Sequence, residues 1–154
     1  MTQKTRPNID EYFLKIARLI GERSTCTRRS LGALAVIDKQ ILATGYNGAP
    51  SGEKDCLELG CLKDEKNIPS GGGYDSCRSV HAEMNVIIQA ARHGVKLDGA
   101  TIYCTTGPCA LCARMLVNAK IARFVYYTDF PNKEAVTLFK NAGIQLDVLP
   151  EPEQ

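Results

Sequence analysis

Two short segments, each at the start of a predicted helix, constrain this chain more than anything else in it. His81-Ala82-Glu83 opens one helical pattern and Pro108-Cys109-Ala110-Leu111-Cys112 opens another, with 28 positions from His81 to Cys109. Cysteines at i and i+3 lie on one helical face, so Cys109 and Cys112 can grip a single ion. Their thiolates stand at a helix N-terminus, where the aligned peptide dipoles favour negative charge. One imidazole and two thiolates leave the fourth position of a zinc ion open, the mark of a catalytic rather than a structural site. Any fold of this chain must then bring two helix N-termini to one point.

Glu83 follows His81 by two residues. At the mouth of a helix it reaches the open position without being a ligand. Zinc lowers the pKa of a bound water to about 7, which makes a nucleophile available at neutral pH. Hydrolytic removal of a ring amine needs attack at carbon, a proton on the ring nitrogen and another on the departing amine. One carboxylate that takes the proton from water and passes it on serves each of these steps. The pattern His-x-Glu followed by Pro-Cys-x-x-Cys resembles the signature of zinc-dependent nucleobase deaminases.

The remaining periodicity predicts α-β-β, a long loop, then α-β-α-β-α-β. A helix runs over Ile9 to Gly21, with Tyr12, Phe13, Ile16, Ala17 and Ile20 on its apolar face. Leu31 to Ile37 and Ile41 to Tyr46 read as a hairpin about Asp38-Lys39. Asn47 to Val80 shows little periodicity and reads as one functional or clipped loop. His81 to His93 is helical, with Val86, Ile87, Ala90 and Ala91 inward and Gly94 as its stop. Ala100 to Cys104, Ile121 to Tyr127 and Ile144 to Leu149 are strands. Helices over Cys109 to Ala119 and Asn132 to Asn141 separate them, the second with Ala135, Leu138, Phe139 and Ala142 on one face. Strands alternating with helices late in the chain imply parallel pairing, and the early hairpin implies an antiparallel edge. The expected fold class is α/β, a single domain over residues 1–154 with a mixed sheet of about five strands and helices on both faces.

Composition narrows the partners. The net charge is only +2, which offers no bulk attraction to nucleic acid or to a membrane surface. No segment approaches the roughly 20 apolar residues of a membrane span, and the N-terminal residues lack a signal-peptide core. The chain is therefore expected in the cytoplasm. Seven cysteines in a reducing compartment point to metal binding or reactivity rather than disulfides.

Further stretches identify a family. Glu22-Arg23-Ser24-Thr25-Cys26, Gly32-Ala33, Ala43-Thr44-Gly45-Tyr46-Asn47-Gly48-Ala49-Pro50, His81-Ala82-Glu83-Met84-Asn85 and Pro108 to Cys112 resemble the deoxycytidylate deaminase family, whose members include bacterial and phage enzymes and a related late-competence operon protein. The resemblance implies a cytidine-deaminase-like α/β/α sandwich, and hydrolysis of dCMP to dUMP with Glu83 as the proton carrier and His81, Cys109 and Cys112 as zinc ligands. It implies that Asn47 bonds the deoxyribose, that Ala82 borders the substrate, and that Ser24, Thr25 and Arg28 take the 5′-phosphate. Arg23, Arg28 and Arg29 are also the densest positive cluster, and a guanidinium fork suits phosphate. It also implies that one of Tyr126 and Tyr127 borders the pyrimidine, with Tyr127 as the candidate, since adjacent strand residues face opposite ways and only one can meet the site.

The same resemblance implies a homohexamer, activated by dCTP with magnesium and inhibited by dTTP, with Gly48 and Arg92 as allosteric candidates. It further implies a second, structural zinc on Cys26 and Cys56, which Cys61 and Cys77 would complete. Closing a glycine-rich loop with a metal removes entropy from the unfolded chain. Cys104, on a core strand, reads as a small apolar side chain. Two alternatives stay open at this point. One is another zinc deaminase, acting on tRNA adenosine or guanine. The other is a non-catalytic, zinc-stabilised competence-related protein, for which Glu83 would be dispensable.

Overall fold

The computed structural model of the chain describes residues 4–127 and 132–153. Five strands form one sheet in the order β2-β1-β3-β4-β5. The strands are β1 (Gly32–Ile37), β2 (Gln40–Tyr46), β3 (Thr101–Cys104), β4 (Arg123–Tyr127) and β5 (Gln145–Leu149). β1 pairs antiparallel with both β2 and β3, whereas β3, β4 and β5 run parallel. This is the expected mixed sheet. Asp38 and Lys39 both take positive φ (50° and 61°), the backbone of a tight hairpin turn between twisted strands.

The helices divide three to one across the sheet. On one face α4 (Ala82–His93), α5 (Ala110–Asn118) and α6 (Lys133–Asn141) bury Val86, Ala90, Ala113, Leu116 and Phe139 against Ala33, Ile102, Cys104, Phe124 and Tyr126. On the other, α1 (Ile9–Gly21) lays Phe13, Leu14 and Ala17 on Leu34, Val36, Tyr103, Val125 and Tyr127. Because β1 is covered on both faces, its apolar run Gly32–Ile37 is continuous rather than alternating. Phe124 and Phe139 are fully buried with ring centroids 5.6 Å apart; truncating either to alanine would cost about 3–5 kcal/mol.

Two close approaches fix the helices that matter for the site. A Cβ on Gly45 would stand 2.3 Å from the Ala82 carbonyl oxygen, and one on Gly32 would stand 1.9 Å from that of Ala17. Glycine at these positions lets β2 reach the first turn of α4 and lets α1 reach β1.

Several local expectations differ from the structure. The stretch after Asn47 contains two one-turn helices, α2 (Cys56–Leu59) and α3 (Leu62–Glu65), and a 3-10 turn over Tyr74–Ser76. Segments this short carry no readable period, although Asp55 caps α2 by accepting from the backbone of Leu57 and Glu58. Tyr12 is 46 % exposed while Leu14 is fully buried, so the stripe of α1 is rotated by part of a turn. Ala91 and Ala142 are exposed, each one helical step outside the buried stripe. No helix among the described residues is long and apolar enough to cross a membrane.

Candidate metal centre

The two helix starts meet. His81 is the N-cap of α4, and its side chain makes no capping bond of its own. Cys109 is the N-cap of α5, and its sulfur accepts from the backbone N–H of Cys112 at 3.4 Å. A sulfur thus takes the place that a serine or aspartate oxygen fills in most helix caps. His81 Nδ1 lies 3.5 Å from the Cys109 sulfur and 3.4 Å from the Cys112 sulfur. Among the described residues this trio is the one group of three or more such side chains whose ligand atoms all fall within 4.8 Å of one another.

The protonation pattern follows from that crowding. The Cys112 thiol donates to the Cys109 sulfur, and with help from His81 it holds Cys109 down to about 4 against the opposing effect of burial. Cys112 itself is pushed far up by the neighbouring Cys109 and by burial. Two sulfurs and an imidazole nitrogen converge on one point, a donor set that fits zinc.

Glu83 stands in the first turn of α4 with 3 % of its surface exposed. Burial raises its carboxyl pKa, opposed by a hydrogen bond from its own backbone N–H and by the charge of His81. The carboxyl is therefore beside the trio, in a dry environment that favours its neutral form.

A cavity of about 150 Å³ opens from this centre, with His81, Glu83 and Cys109 at one end and Asn47, Arg29 and Lys63 on its walls. Asn47 is buried and tied on both sides of its amide: Oδ1 accepts from Leu31 N and Nδ2 donates to the Arg29 carbonyl, each at 2.9 Å. One amide hydrogen and one lone pair remain for a further partner. Ala82 is fully buried, with its side chain in the core under α4, so only its backbone is free for a ligand.

The expected phosphate group is largely occupied within the protein. The Ser24 hydroxyl donates to the Arg29 carbonyl and accepts from Cys26 N. Thr25 Oγ1 accepts from Ala49 N. Arg28 lines the cavity, but its Nε and Nη2 bond Asp64 at 2.8 and 2.6 Å, and Nη2 also bonds the Ile68 carbonyl at 2.8 Å. An acidic side chain from α3 thus holds the guanidinium of Arg28 at the cavity wall.

Tyr127 is a correction. Its ring lies on the α1 face of the sheet, with the Arg18 guanidinium 4.9 Å above it. Tyr126 points the other way and packs beneath Gly107, where an added Cβ would stand 3.1 Å from its ring. Strand alternation decides the matter, and one position separates the two faces.

Cys26, Cys56, Cys61 and Cys77 all border the same cavity, and all seven cysteines are free thiols. No three of these four sulfurs come within 4.8 Å of one another, so they form a wall rather than a closed shell. Gly48 bridges to Val80 and lines a larger groove of about 450 Å³ over β2 and α4, which does not reach His81, Cys109 or Cys112. Arg92 is exposed in the last turn of α4. Lys63 and Tyr74, both on the cavity wall, went unread in the sequence because they belong to the stretch that showed no period.

Comparison with known proteins agrees with this geometry. The sequence model of the cytidine and deoxycytidylate deaminase zinc-binding region matches residues 7–128. The deoxycytidylate deaminase of Schizosaccharomyces pombe is 36 % identical over 149 residues, covering 96 % of this chain but 46 % of that protein; the chain thus spans about half the length of that curated relative. ComE operon protein 2 of Bacillus subtilis is 39 % identical over 140 residues, covering 90 % of this chain and 69 % of the relative. Among solved structures, the dCMP deaminase from cyanophage S-TIM5 in complex with dCMP and dUMP matches with a TM-score of 0.75 at 26 % identity, covering 95 % of this chain and 100 % of that one.

Proposed function

The chain belongs to the cytidine and deoxycytidylate deaminase family, and from that membership we propose that it hydrolyses dCMP to dUMP and ammonia. The observation that carries the proposal is the buried Glu83 carboxyl beside the His81, Cys109 and Cys112 donors. A closed four-ligand structural zinc has no use for a buried acid at its edge.

In this reading His81 and the sulfurs of Cys109 and Cys112 hold the zinc, which supplies Lewis acidity that makes a water nucleophilic at neutral pH. Glu83 accepts the proton of the attacking water, delivers it to N3 of the pyrimidine and then serves the amine as it leaves. The C4–O bond forms first, with one proton of the water passed to N3; the C4–N bond breaks after the second proton has passed to the amine, so one water is consumed and one ammonia released. Burial suits Glu83 to this task, because a carboxylate whose pKa is raised is the stronger base and takes the proton of the attacking water more readily. The free hydrogen and lone pair of Asn47 serve the sugar hydroxyl, and the Ala82 backbone borders the base. The ring on the zinc face of β4 is that of Tyr126. Incubating the zinc-loaded protein with dCMP, CMP, cytidine and guanine tests the assignment by product.

The same reading includes further parts. A structural zinc on Cys26, Cys56, Cys61 and Cys77 is supported by their common wall and requires that wall to close; a count of two zinc ions per chain, falling to one in Cys56→Ser, tests it. Control by dCTP with magnesium and by dTTP in a homohexamer is supported by the groove at Gly48 and by the exposed Ile41 and Tyr46 along β2. Turnover and molecular size with and without the two triphosphates test it, with Arg92→Ala as the variant. One sheet with a core on each face supports a single deaminase domain, and seven free thiols suit a reducing cytoplasm.

A further inference from the structure

Among the described residues only two charged side chains are buried, Glu83 and Lys63. Glu83 belongs to the reaction centre. Lys63 lies on α3 and is 7 % exposed. Its side chain borders the cavity, and no described carboxylate or hydrogen-bond acceptor meets it. The neighbouring carboxylate, Asp64, is turned away onto Arg28.

What Lys63 does touch is aromatic. Its Nζ stands 5.3 Å from the centroid of the Tyr74 ring, and that ring packs edge-on against His81 with centroids 4.9 Å apart. The ammonium is thus one ring away from a zinc ligand, facing the same space. Ser79 Oγ, on the same cavity, is also buried without a partner. An ammonium removed from water with only a ring face for company costs free energy, which an anion seated in the cavity would offset. Ser24, Thr25 and Arg28 are already bonded within the protein, and the other cation on the wall, Arg29, donates from Nη2 to the Thr106 hydroxyl at 3.0 Å, so Lys63 is the cavity cation held by a ring face.

We propose that Lys63 binds the 5′-phosphate of the substrate and sets the preference for a nucleoside monophosphate over the free nucleoside, with Tyr74 spacing that charge from the reaction centre. This rests on the deaminase reading above. The phosphate accepts from the ammonium in a charge-assisted bond, and the unpartnered Ser79 hydroxyl is available to the same group.

The test compares kcat/KM for dCMP and for deoxycytidine in the zinc-loaded wild type, Lys63→Met, Lys63→Gln and Lys63→Arg, with zinc content and melting temperature measured for each. The expected result is a fall of about 10–100-fold for dCMP in the Met and Gln variants, the scale of one charged hydrogen bond, carried mainly by KM. Deoxycytidine turnover stays near wild type in both, and Lys63→Arg retains most of the preference. A folded, zinc-loaded Met or Gln variant that keeps the wild-type ratio of dCMP to deoxycytidine overturns the assignment of Lys63. Failure of the wild type to form dUMP would instead overturn the deaminase reading, so the two outcomes are distinct.

Discussion

Cys104 and Tyr126 are register partners in the parallel β3–β4 ladder, and both side chains face the helices that begin at His81 and Cys109. Their strand neighbours Tyr103 and Val125 pair on the opposite face, under α1. This register separates Tyr126 from Tyr127 as surely as a greater distance in sequence would. Tyr127→Phe is accordingly expected to leave KM for dCMP unchanged, whereas Tyr126→Ala lowers kcat/KM by loosening the floor beneath Gly107. Steady-state kinetics on the two variants check the pair, and a raised KM in Tyr127→Phe alone would reverse the assignment.

Arg123 joins three elements through charge. Its guanidinium makes two bonds of 2.8 Å to Asp10 on α1 and one of 2.6 Å to Asp147 on β5. The Tyr103 hydroxyl donates to the same Asp10 at 2.7 Å. Arg123 holds the Asp10 carboxyl below its ordinary value of 3.8, against partial burial. A carboxyl depressed on folding stabilises the folded state above its unfolded pKa, and that stabilisation is lost as pH falls through the lower, folded value. Stability should therefore drop below about pH 4, and Asp10→Asn should flatten that part of the curve. Arg123→Met should cost on the order of 2 kcal/mol near neutral pH, allowing for its partial exposure. Chemical denaturation at several pH values measures both effects.

Removing the metal should stop turnover and lower stability together, since three buried or half-buried donors from two helices would lose their common partner. A chelator is expected to abolish dUMP formation, and added zinc to restore it. Cys112→Ser, at a fully buried position, should bind zinc far more weakly and remain inactive after zinc is added back. Metal analysis alongside the activity assay checks this; full activity in the chelated protein would contradict it.

The parts legible in the sequence were those with a period or a strict spacing. The nine larger elements emerged from apolar patterns, and the metal trio from residue types that only a helix start places together. Asn47 was placed near the site by resemblance, and its buried amide gives it a local role as well. What escaped was decided by tertiary contacts. The ion pair of Arg28 with Asp64 joins residues 36 positions apart, a contact that no local pattern reveals. Lys63 lay in a stretch without period, and its burial depends on Tyr74 folding over it. The choice between Tyr126 and Tyr127 needed the strand register, which two adjacent tyrosines cannot reveal.

The central claim is that Glu83 moves protons beside a zinc ion held by His81, Cys109 and Cys112. Glu83→Gln preserves size and burial while removing the titratable group. Zinc-loaded wild type should convert dCMP into equal amounts of dUMP and ammonia. Glu83→Gln, with its zinc content unchanged, should be slower by a factor of about 10²–10⁴. Wild-type turnover in the variant, or no dUMP from the zinc-loaded wild type, would contradict the account.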